Sequence, residues 1–253
     1  MDPAMLPPWT LVVLVFVVAF FYASVGFGGA SGYLAAMGLF ALSTDMMAST
    51  ALTLNIIVAG MAFWAYVRAG HFRARLLWPF LLTSVPMAFV GGYIDVSDLL
   101  YRTLLYLALA YLGVRLLLFD GVDESQSGAI RASWLWMLLS GAAIGLLSGM
   151  LGLGGGIFLS PLIVLSGWGK AKEAAASSAG FIIVNSVSSI VGRLLGGNFV
   201  FGAFGLALLP VGLAGGWLGS RWGAEKLSGP SMRRLLGAVL LLGVVQYFWV
   251  QFR

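Results

Sequence analysis

Two clusters of glycine have a spacing that favours ligand binding in this chain. The first cluster contains Ser24, Gly26, Gly28 and Gly29, and the second contains Ser148, Gly149, Gly152, Gly154, Gly155 and Gly156. Each cluster ends a long apolar stretch and is followed by a short apolar segment, residues 31–42 or residues 156–166. Because glycine at this density breaks a helix, each short segment presents a new helix N-terminus. Its free N–H groups and partial positive charge favour a bound anion.

The glycine clusters predict a substrate site that uses backbone groups rather than charged side chains. Broken helices leave N–H and C=O groups unpaired, and hydrocarbon does not tolerate them unless they line a cavity or are buried in protein. Interruptions at matching positions in two halves of a chain point to a transport site. The predicted substrate contacts are Gly26, Gly28, Gly29, Ser31, Gly152, Gly154, Gly155 and Gly156. The alternative is that these glycines only permit close helix packing, as small residues do in membranes.

Polar side chains in the next long span of each half form a second set of candidates. The predicted solute contacts in this set are Ser49, Thr50, Thr53, Asn55, Ser177, Ser178 and Asn185. The alternative is interhelical hydrogen bonding or satisfaction of backbone groups near a kink, which is common for Ser and Thr in membrane bundles. Arg193 lies close to apolar sequence and is a candidate contact for an anion, with snorkelling to the interface as the competing interpretation.

Other kinds of chemistry have little support in the sequence. The chain has no cysteine and one histidine, His71, which lies in a basic loop. All nine acidic residues fall at or near the ends of apolar stretches, so none is placed at mid-membrane for a proton relay, a cation pump or a metal carrier. We expect no metal, no cofactor and no catalytic group, so the chain is predicted not to be an enzyme. A dinucleotide site at residues 152–156 is disfavoured, because Ile157 stands where the fingerprint needs a glycine.

The amino-acid composition indicates that the segments carrying these residues lie in a lipid bilayer. The 253 residues are 60% hydrophobic and 9% charged, whereas soluble domains carry roughly 25% charged residues. Eight apolar stretches approach the length of about 20 residues that a membrane helix needs. They are residues 9–25, 47–67, 76–94, 99–119, 134–151, 174–195, 200–222 and 235–250. We predict an all-α, multi-pass integral membrane protein with about eight to ten membrane segments in a lipid bilayer. Nucleic acid is not expected as a partner, because the basic residues lie mostly at span ends.

An internal repeat divides the chain into two halves. Residues 26–29 (GFGG) align with residues 152–155 (GLGG) at an offset of 126 residues. Further matches follow in order: 48–51 with 176–179, Gly70 with Gly197, Pro86 with Pro210, and 112–114 with 242–244. We predict a first membrane repeat at residues 1–122, a cytoplasmic linker at 123–131 and a second membrane repeat at 132–253.

The distribution of basic residues favours opposite orientations for the two halves. If each short segment completes a membrane passage, eleven of the 14 Lys and Arg residues lie on the cytoplasmic side. If each short segment instead turns back, the 14 residues divide into seven and seven. We therefore predict inverted-topology repeats with glycine-broken helices, related by a pseudo-twofold axis in the membrane plane.

The second glycine cluster and its flanks carry a family resemblance. Residues 141–165 (GAAIGLLSGMLGLGGGIFLSPLIVL), with a weaker echo at residues 26–37 (GFGGASGYLAAM), resemble the sulfite exporter TauE/SafE family. The resemblance extends over residues 12–250, although Ala30 and Ala35 replace a glycine and a proline in the first half. It implies export of a small sulfur-containing anion, such as sulfite or the organosulfonate sulfoacetate, through the inner membrane of a prokaryotic cell.

The predicted mechanism is that of a secondary transporter, with alternating access around the two glycine breaks. A sulfonate suits such a site, because backbone N–H groups can satisfy its three acceptor oxygens and single charge. The alternative is an anion channel, or a transporter of another small organic anion. The apolar surface would also permit a homodimer.

Overall fold

The described part of the chain is helical throughout. The computed structural model describes residues 7–38, 40, 42–94 and 133–226, together with single positions at 97, 100, 103, 107, 110, 114, 231, 238, 241 and 245. All regular secondary structure in these residues is α-helix, which confirms the all-α prediction. The predicted spans 99–119 and 235–250 and the predicted linker 123–131 lie outside the continuously described residues.

Eight helices occupy the described residues, four on each side of the predicted linker. They are α1 (Trp9–Ser24), α2 (Ala30–Gly38), α3 (Thr44–Arg68), α4 (Ala74–Tyr93), α5 (Trp134–Leu151), α6 (Gly156–Leu165), α7 (Ala171–Gly196) and α8 (Ala203–Lys226). In each half a first helix is followed by a short helix of nine or ten residues and then by two helices of 20 residues or more. The order of elements is therefore the same in both halves.

Five of the described helices, α3, α4, α5, α7 and α8, are long and apolar enough to cross a membrane by length and composition. Together they make the chain a multi-pass membrane protein. Helix α1 has 16 residues and α6 has ten. A ten-residue helix is about 15 Å long, roughly half the hydrocarbon thickness of a bilayer. The total of eight to ten membrane segments stays a prediction.

Two glycine seams join helices from different halves. In one seam Gly215, Gly219 and Gly223 of α8 lie against the backbone of Phe16, Phe20 and Ser24 of α1. In the other seam Gly141, Gly145 and Gly149 of α5 lie against the backbone of Phe80, Ser84 and Ala88 of α4. A Cβ at any of these six glycines would collide with a carbonyl oxygen of the facing helix. Small residues at every fourth position permit this close packing in membranes. Because residue numbers rise together along each seam, the two helices of each pair run parallel.

Helices α3 and α7 pack together at the centre, and ion pairs at their two ends fix their relative direction. Near the start of α3, Asp45 lies 3.4 Å from Arg193 near the end of α7. Just beyond the end of α3, Arg73 lies 2.7 Å from Glu173 near the start of α7. The two helices therefore run antiparallel, although they occupy equivalent positions in the repeat. Inverted topology requires this direction, and the orientation of the halves relative to a bilayer stays a prediction.

Candidate functional site

The first break lies between α1 and α2 and is buried. Helix α1 ends at Ser24, and residues 25–29 lead to α2 without exposure to solvent. Gly26 and Gly29 have φ angles of +83° and +96°, a conformation that side chains with a Cβ rarely adopt. A Cβ at Gly26 would lie 2.6 Å from the carbonyl oxygen of Ala175, in the first turns of α7. The glycine cluster therefore ends α1 as predicted and brings the chain against the other half.

The second break lies between α5 and α6 and leaves several backbone donors free. Helix α5 ends at Leu151, and Gly152, Gly154 and Gly155 have φ angles of +71°, +69° and +80°. The N–H of Leu153 donates to the carbonyl of Ser148. Among the described residues, the N–H groups of residues 154–157 have no protein acceptor, and no side chain caps α6. Unpaired donors at a helix N-terminus favour an anion.

Asn55, at the middle of α3, connects the two breaks. Its Oδ1 accepts a hydrogen bond of 3.1 Å from the N–H of Ala30, the first residue of α2. Its Nδ2 donates a hydrogen bond of 3.1 Å to the carbonyl of Leu153 in the second break. Asn55 is fully buried, and both ends of its amide are occupied by backbone groups. In this conformation Asn55 therefore joins the two breaks, and its predicted role as a substrate contact stays a prediction.

Three buried hydroxyl groups next to the breaks have no hydrogen-bond partner among the described residues: Tyr33, Ser148 and Ser186. The Cβ that Gly154 lacks would lie 2.8 Å from the Ser186 Oγ, and the Cβ that Gly29 lacks would lie 2.7 Å from the Tyr33 hydroxyl. A buried polar group without a partner costs about 1–3 kcal/mol. In the described structure these three hydroxyls therefore lack the hydrogen bond that a buried polar group normally makes.

The sequence interpretation did not include Ser186 or Tyr33 among the site residues. A signal for Ser186 exists, because residues 178, 182 and 186 recur at four-residue intervals on one face of α7. The Cβ that Gly156 lacks would touch Ile182 and the carbonyl of Ser178, and the Cβ that Gly154 lacks would touch Ile182 and Ser186. One face of α7 therefore runs along the whole start of α6.

The other predicted polar contacts fall into two groups. The side-chain oxygens of Thr50, Ser177, Ser178 and Asn185 are buried without a described partner. By contrast, Ser31 is hydrogen-bonded to the Tyr22 hydroxyl at 2.7 Å, and the Oγ of Ser49 accepts from the N–H of Val200 at 3.1 Å. Thr53 donates to the carbonyl of Ser49 in its own helix. Ser31, Ser49 and Thr53 therefore fit the alternative that these side chains make structural hydrogen bonds. The four residues of the first group keep a side-chain oxygen without a described partner.

Arg193 is buried and donates a hydrogen bond at the C-terminal end of α5. Its guanidinium donates to the carbonyl of Met150 at 3.0 Å and contacts Asp45. In the first half, the Tyr66 hydroxyl makes the corresponding contact, donating at 2.7 Å to the carbonyl of Ser24 at the end of α1. Side-chain donors commonly satisfy the last carbonyls of a helix. In this conformation Arg193 therefore stabilises the second break from its α5 side.

The opposite end of the α3–α7 pair carries a shorter ion pair with a more buried carboxylate. The side chain of Glu173 is 10% exposed, pairs with Arg73, and also accepts from the N–H of Lys170 at 3.0 Å. His71 lies in the same loop region. Burial, reinforced by the charge of Lys172, lowers the pKa of the His71 imidazole below its usual value. His71 is therefore uncharged at neutral pH and does not compete with Arg73 for the carboxylate. No group of three or more potential metal-ligating side chains occurs within the described ranges.

Comparisons with known proteins place this geometry in a wider context. The model of the family described as "Sulfite exporter TauE/SafE" matches residues 11–247. A relative named "Probable membrane transporter protein y4hK", from Sinorhizobium fredii (strain NBRC 101917 / NGR234), is 31% identical over 250 residues. That match covers 94% of this chain and 97% of the relative. No solved structure matches the chain significantly.

Proposed function

Because the chain belongs to the sulfite exporter TauE/SafE family and is a membrane transporter, we propose that it exports a small sulfur-containing anion by alternating access. The proposed substrate is sulfite or an organosulfonate such as sulfoacetate, and the proposed location is the cell inner membrane. The observation that carries the proposal is the second break. There, backbone donors at residues 154–157 and the Ser186 hydroxyl are buried close together, and the part of the chain that the structure describes offers them no acceptor.

These donors suit a sulfonate or sulfite group for an electrostatic reason. Such an anion presents three acceptor oxygens and small net charge, and it can accept several hydrogen bonds at once from N–H and O–H groups. The donors carry no full positive charge, so the site holds the anion through dipoles at the start of α6. An anion held in this way is easier to release than one paired with a buried arginine, and release is required for transport.

The ion pairs at the two ends of α3 and α7 fit alternating access. Asp45 and Glu173 are both near the start of their helices, and each pairs with an arginine from the other half. Both breaks are buried, as alternating access requires of an occluded state. Opening one end requires separation of one ion pair while the other pair keeps the opposite end closed. The Asp45–Arg193 contact is longer, at 3.4 Å against 2.7 Å, and the Asp45 carboxylate is more exposed than that of Glu173, so we take this pair as the weaker closure.

Flux through reconstituted liposomes tests the proposal. The purified protein would be given sulfite, sulfoacetate, taurine, sulfate and acetate, and uptake or release of each would be measured against concentration. We expect saturable flux with preference for sulfite or sulfoacetate. Flux that rises linearly with concentration would identify an anion channel, and preference for a neutral or cationic solute would refute the anion site.

Two serine positions, Ser186 at the second break and Ser140 in α5, supply a test variant and a matched control for this assay. Ser186→Ala removes a hydroxyl that has no partner among the described residues next to the second break. It is expected to raise KM about ten-fold or more, since a hydrogen bond to a charged group contributes about 1.5–3 kcal/mol. Ser140→Ala removes a hydroxyl that bonds only to carbonyls of its own helix and should leave flux unchanged. Equal KM values for the two variants would exclude the Ser186 region as the substrate site.

A further inference from the structure

Two neighbouring helices end with the same pair of side chains at the same end of the molecule. In α3, the Arg68 guanidinium lies 4.6 Å from the centre of the Trp64 ring. In α8, the Arg221 guanidinium lies 4.1 Å from the centre of the Trp217 ring. In each case the tryptophan precedes the arginine by one helical turn, and the ring attracts the cation. Both guanidinium groups are therefore held in defined positions near the ends of their helices.

A cavity of about 470 Å³ lies between these two pairs. Its walls are Trp64, Ala65, Arg68 and Ala69 from α3 and Arg221, Ala224 and Glu225 from α8. The alanines leave the space that larger side chains would fill. A third cation adjoins the wall, because Lys172 Nζ donates to the carbonyl of Ala224 at 3.0 Å. Among the described residues, neither Arg68 nor Arg221 pairs with a carboxylate.

The surface next to the cavity changes from polar to apolar along the helices. Arg68 is the last residue of α3 and Lys226 the last of α8, so the cavity lies where these long apolar helices leave the membrane. Towards the middle of α8, Leu213 and Trp217 are 40% and 45% exposed and lie one turn apart. Aromatic and basic residues at such depth face lipid headgroups. A ligand that fits both surfaces has an anionic head and an apolar tail.

We propose that this cavity binds the phosphate of an anionic phospholipid of the phosphatidylglycerol type. Arg68 and Arg221 donate hydrogen bonds to the phosphate oxygens, and Lys172 adds positive potential behind them. Glu225 accepts a hydrogen bond from a hydroxyl of the glycerol headgroup. The acyl chains lie along the exposed apolar surface beside Trp64 and Trp217. This lipid site lies at the ends of α3 and α8, separate from the glycine breaks, and does not depend on the transported solute.

Lipid retention measured by native mass spectrometry tests the proposal. The protein would be exchanged into detergent containing equal amounts of dioleoylphosphatidylglycerol and dioleoylphosphatidylcholine. We expect about a 30-fold preference for the anionic lipid, since each arginine near a membrane surface contributes about a five-fold gain. Arg68→Gln and Arg221→Gln should each reduce the preference about five-fold, and the double variant should abolish it. Arg75→Gln is the matched control, because Arg75 is exposed and lies outside the cavity.

Melting temperature in detergent gives a second measurement that does not need the double variant. We expect dioleoylphosphatidylglycerol to raise the melting temperature of the wild-type protein, and dioleoylphosphatidylcholine and inorganic phosphate to leave it unchanged. The same rise with inorganic phosphate alone would show that the cavity takes a soluble anion and would overturn the lipid assignment. Equal retention of the two lipids by the wild type, or an unchanged preference in Arg68→Gln and Arg221→Gln, would also overturn it.

Discussion

Two buried asparagines offer a direct test of how the breaks are held. Asn55 and Asn185 are both fully buried, so replacement by alanine removes the same atoms and creates a similar cavity at each position. Asn55→Ala leaves two buried backbone groups without partners, the N–H of Ala30 and the carbonyl of Leu153. Asn185→Ala removes only a bond to the carbonyl of Phe181, one turn back in the same helix.

The difference between the two variants follows from these hydrogen bonds. Two orphaned buried groups cost about 1–3 kcal/mol each, so Asn55→Ala should destabilise the protein by about 2–6 kcal/mol more than Asn185→Ala. The melting temperature of Asn55→Ala should be lower than that of Asn185→Ala by at least about 4 °C. Fluorescence-detected size-exclusion chromatography of heated detergent extracts can measure both variants even at low yield. Equal melting temperatures would refute the conclusion that Asn55 joins the breaks.

Two further predictions concern the second break and the end ion pairs. Gly154→Ala should destabilise the protein by about 1–3 kcal/mol, because its φ of +69° disfavours a Cβ and the added atom would meet Asn55 and Ser186. Gly60→Ala is the control, because a Cβ at Gly60 in α3 would meet no other atom, and it should be neutral or stabilising. An equal fall in the melting temperatures of Gly154→Ala and Gly60→Ala would contradict the strain argument. Glu173→Gln should destabilise the protein by about 1–3 kcal/mol and Asp45→Asn by less than about 1 kcal/mol, because the Glu173 contact is shorter and its carboxylate is 10% exposed against 42% for Asp45. The melting temperature of Glu173→Gln should therefore be the lower of the two. The opposite order would show that the Asp45 end is the stronger closure.

The sequence predicted the elements of this fold more completely than their contacts. The ends of α1 and α5 follow from local chemistry, because Gly26, Gly152 and their neighbours permit backbone angles that end a helix. The antiparallel contact of α3 and α7 brings residues from distant parts of the chain together, and no local pattern encodes it. Asn55 was therefore recognised as a buried polar group, while its bond to Leu153 was not foreseeable.

Gly149 and Arg193 illustrate the same limit for the candidate site. Gly149 belongs to the second glycine cluster by sequence, and in the structure it lies in the seam with α4, as the packing alternative supposes. By sequence Arg193 is a candidate contact for an anion, with snorkelling to the interface as the alternative. Its charge instead faces Asp45 and the carbonyl of Met150, which come from other elements. Charge and burial were predictable, but the partner was not.

The glycine seams also affect the order in which the chain can assemble. Helix α4 and its seam partner α5 are successive among the described helices, whereas α1 (Trp9–Ser24) has its partner in α8 (Ala203–Lys226). During synthesis, the first helix therefore enters the bilayer long before the ribosome has made the surface that covers it. Until then Phe16 and Phe20 face lipid or an insertion chaperone. A fragment that stops before α8 would leave α1 without its packing partner. Proteolysis of such truncated chains should therefore begin near α1.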